Sequence, residues 1–569
     1  MSEPILLDEF LSLPTTIDFV TRQSDHFENY LKKTPEIIAT QGLSGGFVLG
    51  YIDRNQIDAL TDALGSSYIS ALNFVLGLLD RDELAASGII QVQDQPFLNL
   101  RGEGTIVGIV DTGIDYTKDA FRYEDGSSKI RYIYDQTGQG QHPSGGFLIG
   151  TEYTNEQINE ALKSENPYEI VPQRDTSGHG TFLASVAAGR EEGENIGAAP
   201  DAELIVVKLR KSRPFYLERY LIPPDQENAF SSASVMVGIE YIIKRAKELD
   251  RPVALCIGVG TNQGSHDGFS LFEDYITHLT NLSGVCICTA AGNESQARHH
   301  TQGVIAKTDA TQEIEIKVGE NAGDIYMTIF NGAADRVSVA VKSPTGERVT
   351  RVPAKPGTVL NSRLVLEKSR VTVEYYFPLE GSGGQQTVVK IINATPGVWT
   401  VTLYGDIILD GTYHSWLPIT GFVSPDVEFL SPIPNFTIVV PATTIGTITC
   451  GAYNSGNNSL YPNSSWGPTR LPMMSPTLSA PGVNVGGVYP SGPGVMSGTS
   501  VSTGITTGAS ALLLQWGVVQ GNDVAMSTYQ IKAFLIRGCN RDENVTYPNP
   551  QWGYGRLNLI QSFAYMREL

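Results

Sequence analysis

Short, uninterrupted apolar runs alternate with helical patterns along residues 100–300, and they limit the folds open to this chain. Four of these runs are GTIVGIVD (104–111), AELIVVKL (202–209), PVALCIGVG (252–260) and GVCICTAAGN (284–293). Strands without polar alternation are buried on both faces, as are parallel strands joined by helices. The pattern therefore predicts an α/β fold, with a doubly wound parallel sheet and helices on both faces.

An antiparallel β domain is predicted to interrupt this α/β pattern. Between about 310 and 420, segments such as EIEIKV and RVTVEYYF alternate apolar with polar residues and are separated by Gly, Pro and Asn turns. This alternation indicates an antiparallel β-sandwich or jelly roll, which we place at 301–435. The α/β pattern returns afterwards, so the α/β domain is predicted in two parts, 76–300 and 436–569.

A separate, smaller α/β unit is predicted over residues 1–75. Its strand GGFVLGYID (45–53) precedes a stretch, 54–69, with apolar residues at helical spacing. A chain of 569 residues is long enough for this unit and the two domains that follow.

Composition and charge argue against several classes of function. The formal net charge of −20 opposes binding to nucleic acid or to an anionic membrane. No apolar run approaches the ~18 residues of a membrane-spanning helix, and the acidic start MSEPILLDEFLSLP lacks a signal-peptide pattern. Four of the five cysteines lie in apolar runs and none belongs to a metal-ligand motif, which predicts buried free thiols and no metal site. We also expect no cofactor. We therefore expect cytoplasmic synthesis without a signal peptide, and no membrane insertion.

Four polar residues stand where an α/β sheet of this kind collects its ligands, at strand ends and helix starts. They are Asp111 at the end of the first apolar run, His179 in SGHGTF, Asn293 in TAAGNES, and Ser500 in SGTSVS at the start of an apolar helix. Each alone has an ordinary explanation as a turn residue, a helix cap or one of eight histidines. Together they supply a nucleophile, a base, a carboxylate to orient the base, and an oxyanion donor.

The blocks IVDTGID, SGHGT, AAGNES and SGTSVS resemble the signature blocks of the subtilisin-like serine proteases, the subtilases, in the order Asp, His, Asn, Ser. The resemblance covers about 85–295 and 436–569. It implies a subtilisin-like sheet in which Ser500 is the nucleophile, His179 the general base and then acid, and Asp111 the group that holds the imidazole. Asn293 and the Ser500 backbone N–H would form the oxyanion hole.

The same resemblance implies that a protein or peptide substrate binds as an added β-strand. One wall of its site would be Gly258, Val259 and Gly260, with Ala290, Ala291 and Gly292 around the first specificity pocket. The opposite wall is expected near 228–231. Two departures from the family are the Gly504 that replaces a usual proline, and a short segment after His179 that makes a bound calcium there unexpected.

The chain resembles the clostridial Csp germination proteases in three features: an N-terminal unit, a β insertion and the absence of an export signal. This likeness implies that residues 1–75 are a prodomain, a folding chaperone and inhibitor that is cut autocatalytically between 66 and 82 and stays bound non-covalently. It also implies limited proteolysis of a cortex-lytic enzyme precursor in spore germination, with the protease packaged in the spore.

Two other functions stay open beside an active protease. A catalytically silent pseudoprotease could bind or signal, as some Csp members do, but such members lose triad residues, and Asp111, His179 and Ser500 are all present. An esterase with the same triad is disfavoured, because the residues around Ser500 do not form a G-x-S-x-G elbow and the chain order differs.

Overall fold

The computed structural model describes residues 16–22, 37–43, 47–53, 56 and 81–566, apart from 146, 148, 191–195, 213, 321, 357, 380, 381 and 472. The chain forms two compact units, Met1–Leu78 and Leu79–Leu569. In the first unit, three antiparallel strands form a sheet of order β1-β3-β2: β1 (Thr16–Arg22), β2 (Ile37–Leu43) and β3 (Phe47–Asp53). The predicted helix over 54–69 and the predicted cleavage region 66–82 lie almost entirely outside the described residues.

A nine-stranded sheet forms the centre of the second unit. Its order is β22-β21-β9-β8-β4-β7-β5-β6, with β23 also paired to β21. The strands, numbered in chain order, are β4 (Ile106–Asp111), β5 (Ile130–Asp135), β6 (Thr151–Thr154), β7 (Glu203–Lys208), β8 (Val253–Ile257), β9 (Val285–Ala290), β21 (Ile448–Asn454), β22 (Ser459–Leu460) and β23 (Leu478–Pro481). Strands β4, β8 and β9 are buried along their whole length, as the apolar runs predicted.

The predicted doubly wound parallel sheet needs a correction at two places. Strand β6 pairs antiparallel with β5, and β22 pairs antiparallel with β21. Both follow a neighbouring strand without a crossover helix, so the chain returns in the opposite direction. The sheet is therefore mixed, with a parallel centre, a common arrangement in large α/β sheets.

Helices cover both faces of this sheet. The described helices are α1 (Arg81–Ala86), α2 (Ile89–Gln93), α3 (Asn155–Lys163), α4 (Pro167–Ile170), α5 (His179–Ala188), α6 (Pro214–Tyr220), α7 (Ser232–Glu248), α8 (Leu271–Leu279), α9 (Thr499–Leu514), α10 (Thr528–Gly538) and α11 (Leu559–Met566). Helices α5 and α9 share one apolar core with Val107 and Ile109 of β4. Helices α7 and α8 share a second core with Ile106 and Val110, on the other face. In the described part of the chain, no helix is long and apolar enough to cross a membrane.

Helix α9 is buried along all of its residues, which explains its small and hydroxylated composition. The hydroxyls of Thr503, Thr506, Thr507 and Ser510 each donate to the carbonyl four residues earlier, at 2.7 to 2.8 Å. These bonds satisfy polar groups that would otherwise be costly to bury. A Cβ at Gly504 would lie 2.8 Å from Val186 Cγ2, so glycine lets α9 pack closely against α5.

Two antiparallel sheets follow β9 and share one apolar core. The first has the order β10-β19-β12-β17-β16-β15 and the second β14-β13-β18-β11-β20. Their strands are β10 (His300–Val304), β11 (Thr311–Val318), β12 (Ile325–Asn331), β13 (Arg336–Lys342), β14 (Arg348–Val352), β15 (Val359–Arg363), β16 (Arg370–Tyr376), β17 (Gln385–Ile392), β18 (Gly397–Ile407), β19 (Thr412–Trp416) and β20 (Val427–Phe429). A hairpin of β24 (Val485–Tyr489) and β25 (Gly492–Met496) precedes α9. The jelly-roll connectivity stays a prediction.

Candidate active site

Asp111 ends β4 at the point where the strand order of the main sheet reverses. Strands β7 and β5 lie on one side of β4, and β8 and β9 lie on the other. The crossover helices diverge at such a point, leaving a crevice at the carboxyl ends of the strands. The side chains that follow β4, β8 and β9 are thereby brought to one edge of the sheet.

Asp111, His179 and Ser500 form one hydrogen-bonded line across this crevice. His179 Nδ1 lies 2.8 Å from Asp111 Oδ1, and its Nε2 lies 3.1 Å from Ser500 Oγ. Because a carboxylate only accepts, Nδ1 carries the imidazole proton and donates it to Asp111, which leaves Nε2 to accept from the Ser500 hydroxyl. The arrangement can raise the nucleophilicity of Ser500.

The environment of His179 favours its charged form. Burial alone favours the neutral ring, but the charge of Asp111, its hydrogen bond and the charge of Asp175 outweigh burial and raise the pKa of His179 above its usual value. A protonated imidazole cannot accept the Ser500 proton, so the acid side of any pH–rate profile should report this group.

Asp175 is a buried carboxylate that the sequence analysis missed. It accepts five hydrogen bonds at 2.7 to 3.1 Å: from the Thr112 hydroxyl, from the backbone N–H groups of Ser177, Gly178 and Thr181, and from the Thr181 hydroxyl. Thr112 also donates its N–H to Asp111 Oδ1 and accepts from Gly180 N. Asp175 thus ties the start of α5, which carries His179, to the end of β4. The available signal was its position four residues before His179 in DTSGHG.

Asn293 and the first turn of α9 form a site for a developing anion. Asn293 Oδ1 accepts from the backbone N–H and the hydroxyl of Thr499, at 3.1 and 3.3 Å. This leaves the Asn293 Nδ2 amide to donate to another group. Asn293 Nδ2 and Ser500 Oγ lie near the same point, 3.6 and 3.4 Å from where a Cβ at Gly498 would stand. The Ser500 N–H lies in the first helical turn, where no intrahelical acceptor exists. Two donors therefore lie next to the Ser500 hydroxyl.

We expect Asn293→Leu to lower kcat by about 100- to 1000-fold with little change in KM, because the lost donor acts only on the oxyanion of the transition state. Steady-state kinetics on a peptide substrate measures both constants. Asn463→Leu is the matched control, since Asn463 is an exposed amide that lines the same cavity. Equal effects of the two substitutions would contradict the role of Asn293.

The crevice opens into a cavity of about 1170 Å³ that holds His179, Asn293 and Ser500. Five of the six residues predicted to bind substrate line it: Gly258, Val259, Gly260, Ala290 and Gly292. The second predicted wall, 228–231, lines it as well.

Ala291 is the exception among the predicted substrate residues, and its assignment is corrected. Its side chain is fully buried against Ile438 and Ala442. Its backbone N–H donates to Cys450 O and its carbonyl accepts from Val439 N, each at 3.0 Å. Consecutive side chains at the end of β9 point to opposite sides, so the Ala291 side chain packs in the protein interior, behind the wall of the cavity.

Two of the predicted glycines have a packing reason as well. Val439 inserts between them: a Cβ at Gly260 would lie 2.4 Å from Val439 Cγ2, and one at Gly292 would lie 2.6 Å from Val439 Cγ1. Gly292 also has a φ of 105°, in the left-handed region. Glycine at both positions lets Val439 reach the cavity and form part of its wall.

The model of the Subtilase family matches residues 102–356 and 434–555, which is more than half of the chain. The chain belongs to the subtilase family.

Among solved structures, the chain is similar to the Clostridium perfringens CspB protease, with 32% sequence identity and a TM-score of 0.76 over 86% of this chain and 99% of that one. This chain is 22% identical to the PIII-type proteinase of Lactococcus lactis, in an alignment that covers 73% of this chain. It is also 22% identical to the subtilisin-like protease CPC735_005570 of Coccidioides posadasii, in an alignment that covers 61% of this chain. The chain spans 22% of the length of the first of these two relatives and 76% of the second.

Proposed function

We propose that the protein is a serine endopeptidase that hydrolyses peptide bonds through an acyl-enzyme. The observation that carries this proposal is the unbroken hydrogen-bonded line from Asp111 through His179 to Ser500, opening into a cavity beside Asn293. The intact triad also disfavours the pseudoprotease alternative, which depends on its loss.

The geometry supports a two-step reaction. His179 Nε2 takes the Ser500 proton as Oγ attacks the scissile carbonyl, and the oxyanion accepts from Asn293 Nδ2 and the Ser500 N–H. His179 then gives the proton to the leaving amine, which departs as the C–N bond breaks. In the second step a water loses its proton to His179 and hydrolyses the ester, and Ser500 regains its proton. Asp111 accepts the hydrogen bond from His179 Nδ1 throughout and stabilises the imidazolium.

The finer role that we propose is limited proteolysis of protein substrates, beginning with the chain's own N-terminal unit. In this proposal, residues 1–75 are a prodomain that is cut between 66 and 82 and remains bound. As the later substrate we propose a cortex-lytic enzyme precursor, cut in spore germination by a protease that is made in the cytoplasm and packaged in the spore. This part of the proposal rests on the resemblance of the sequence to the Csp germination proteases, and the chain is similar in structure to the Clostridium perfringens CspB protease.

Intact-mass analysis of the purified full chain, beside Ser500→Ala, tests the proposal. We expect two fragments from the wild type, with the new ends between 66 and 82, and one uncut chain from the variant. If the wild type and Ser500→Ala both remain uncut, self-processing is removed from the proposal and the pseudoprotease alternative is favoured. An identical cut in both would assign the processing to another protease.

A further inference from the structure

A short segment of the inserted β unit lines the same cavity as the triad. We call residues 417–422 the exit segment, because they follow β19 and lead out of the six-stranded sheet. Ile419, Thr420 and Phe422 line the cavity that holds His179 and Ser500. Thr420 is exposed there, and the other two side chains are half-buried.

The exit segment is fixed to the two strand ends that carry predicted substrate residues. Glu294, next to Asn293, accepts from Thr420 N at 3.0 Å through Oε1 and from His299 Nδ1 at 2.9 Å through Oε2. Asn262, two residues after Gly260, donates from Nδ2 to Leu417 O at 3.1 Å. Glu294 and Asn262 are both almost fully buried, so these bonds are shielded from competing water.

The other end of the exit segment reaches the opposite wall of the cavity. Phe422 packs on a cluster formed by Leu217, Ile222 and Ala229. Gln226 Nε2 donates to Gly421 O at 2.9 Å. The segment therefore bridges the Asn293 side of the cavity and the 228–231 wall, and it places apolar side chains between them.

We propose that the exit segment is a specificity-determining wall, which selects an apolar side chain within the four substrate residues that precede the scissile bond. It would contact this part of the substrate because it is anchored beside Asn293 and Gly260, where the acyl portion is expected to bind. The inserted β unit would thus take part in substrate recognition. This inference rests on the proposed endopeptidase function.

Two variants test the wall from opposite directions. Phe422→Ala removes apolar surface, and Thr420→Phe adds bulk to an exposed position while keeping the backbone N–H that Glu294 accepts. Leu409→Ala is the control, since Leu409 is an apolar residue of the inserted unit that is 79% exposed and does not line the cavity. Peptides that differ only by Leu or Ala at each of the four positions serve as substrates, and a fluorophosphonate that labels the active serine counts the active sites.

We expect wild-type protein and Leu409→Ala to prefer Leu over Ala at one of these positions by tenfold or more in kcat/KM. Phe422→Ala should reduce that preference about tenfold, mainly through slower hydrolysis of the Leu peptide. Thr420→Phe should slow the Leu peptide by more than tenfold and the Ala peptide much less. Fluorophosphonate labelling should be unchanged in all three variants.

An unchanged Leu-to-Ala ratio in both cavity variants, with normal labelling, would overturn the wall and leave the proposed function intact. Ser500→Ala is the inactive control, which should neither take up the fluorophosphonate nor hydrolyse any peptide. If the wild type behaves in the same way, the proposed function fails and the inference fails with it.

Discussion

Ser500→Ala is expected to lower kcat for peptide hydrolysis by about a million-fold, with little change in KM. The Ser500 hydroxyl lies 3.1 Å from His179 Nε2, where it can attack a carbonyl that accepts from Asn293 Nδ2 and the Ser500 N–H. His179→Ala should lose about as much, and the double variant hardly more, because the two residues act as one unit. Single-turnover kinetics with a chromogenic peptide measures these losses.

Ser497→Ala is the matched control, since Ser497 is an exposed hydroxyl three residues before Ser500. It should retain activity within a few-fold. If the losses in kcat of the two single variants added up in the Ser500 and His179 double variant, the two side chains would contribute independently. That result would contradict the nucleophile–base assignment.

Asp111→Asn is expected to lower kcat by about ten-thousand-fold near neutral pH, with a changed pH profile. An amide NH2 can donate to His179 Nδ1, which would stabilise the tautomer whose Nε2 carries the proton and cannot act as base. The lost charge also removes a contribution that raises the pKa of His179, so the ring should protonate at lower pH. The acid limb of kcat/KM should therefore move to lower pH.

Asp119→Asn controls for a general loss of negative charge, because Asp119 is an exposed carboxylate paired with Arg122. It should leave both the rate and the acid limb in place. If the acid limb of Asp111→Asn stayed at the wild-type pH, the limb would belong to a group other than His179.

Local patterns in the sequence determined most of the catalytic sheet and the triad. Continuous apolar runs predict β4, β8 and β9, because only strands covered on both faces can bury every side chain. The proposed catalytic residues follow from short motifs, since the end of a strand or the first turn of a helix is a local feature. The same local patterns predict the strand alternation in the inserted unit.

Only the tertiary structure decided which distant groups complete the site. Asp175 accepts from Thr112, which is 63 residues away, and Glu294 accepts from Thr420, 126 residues away. No periodicity relates such residues, because their contact depends on how sheets and helices pack after each element has formed. The burial of Ala291 has the same origin: its neighbours Ile438 and Ala442 come from beyond the inserted unit. The sequence by itself determined the elements and the reactive side chains, whereas long-range packing decided the walls of the cavity.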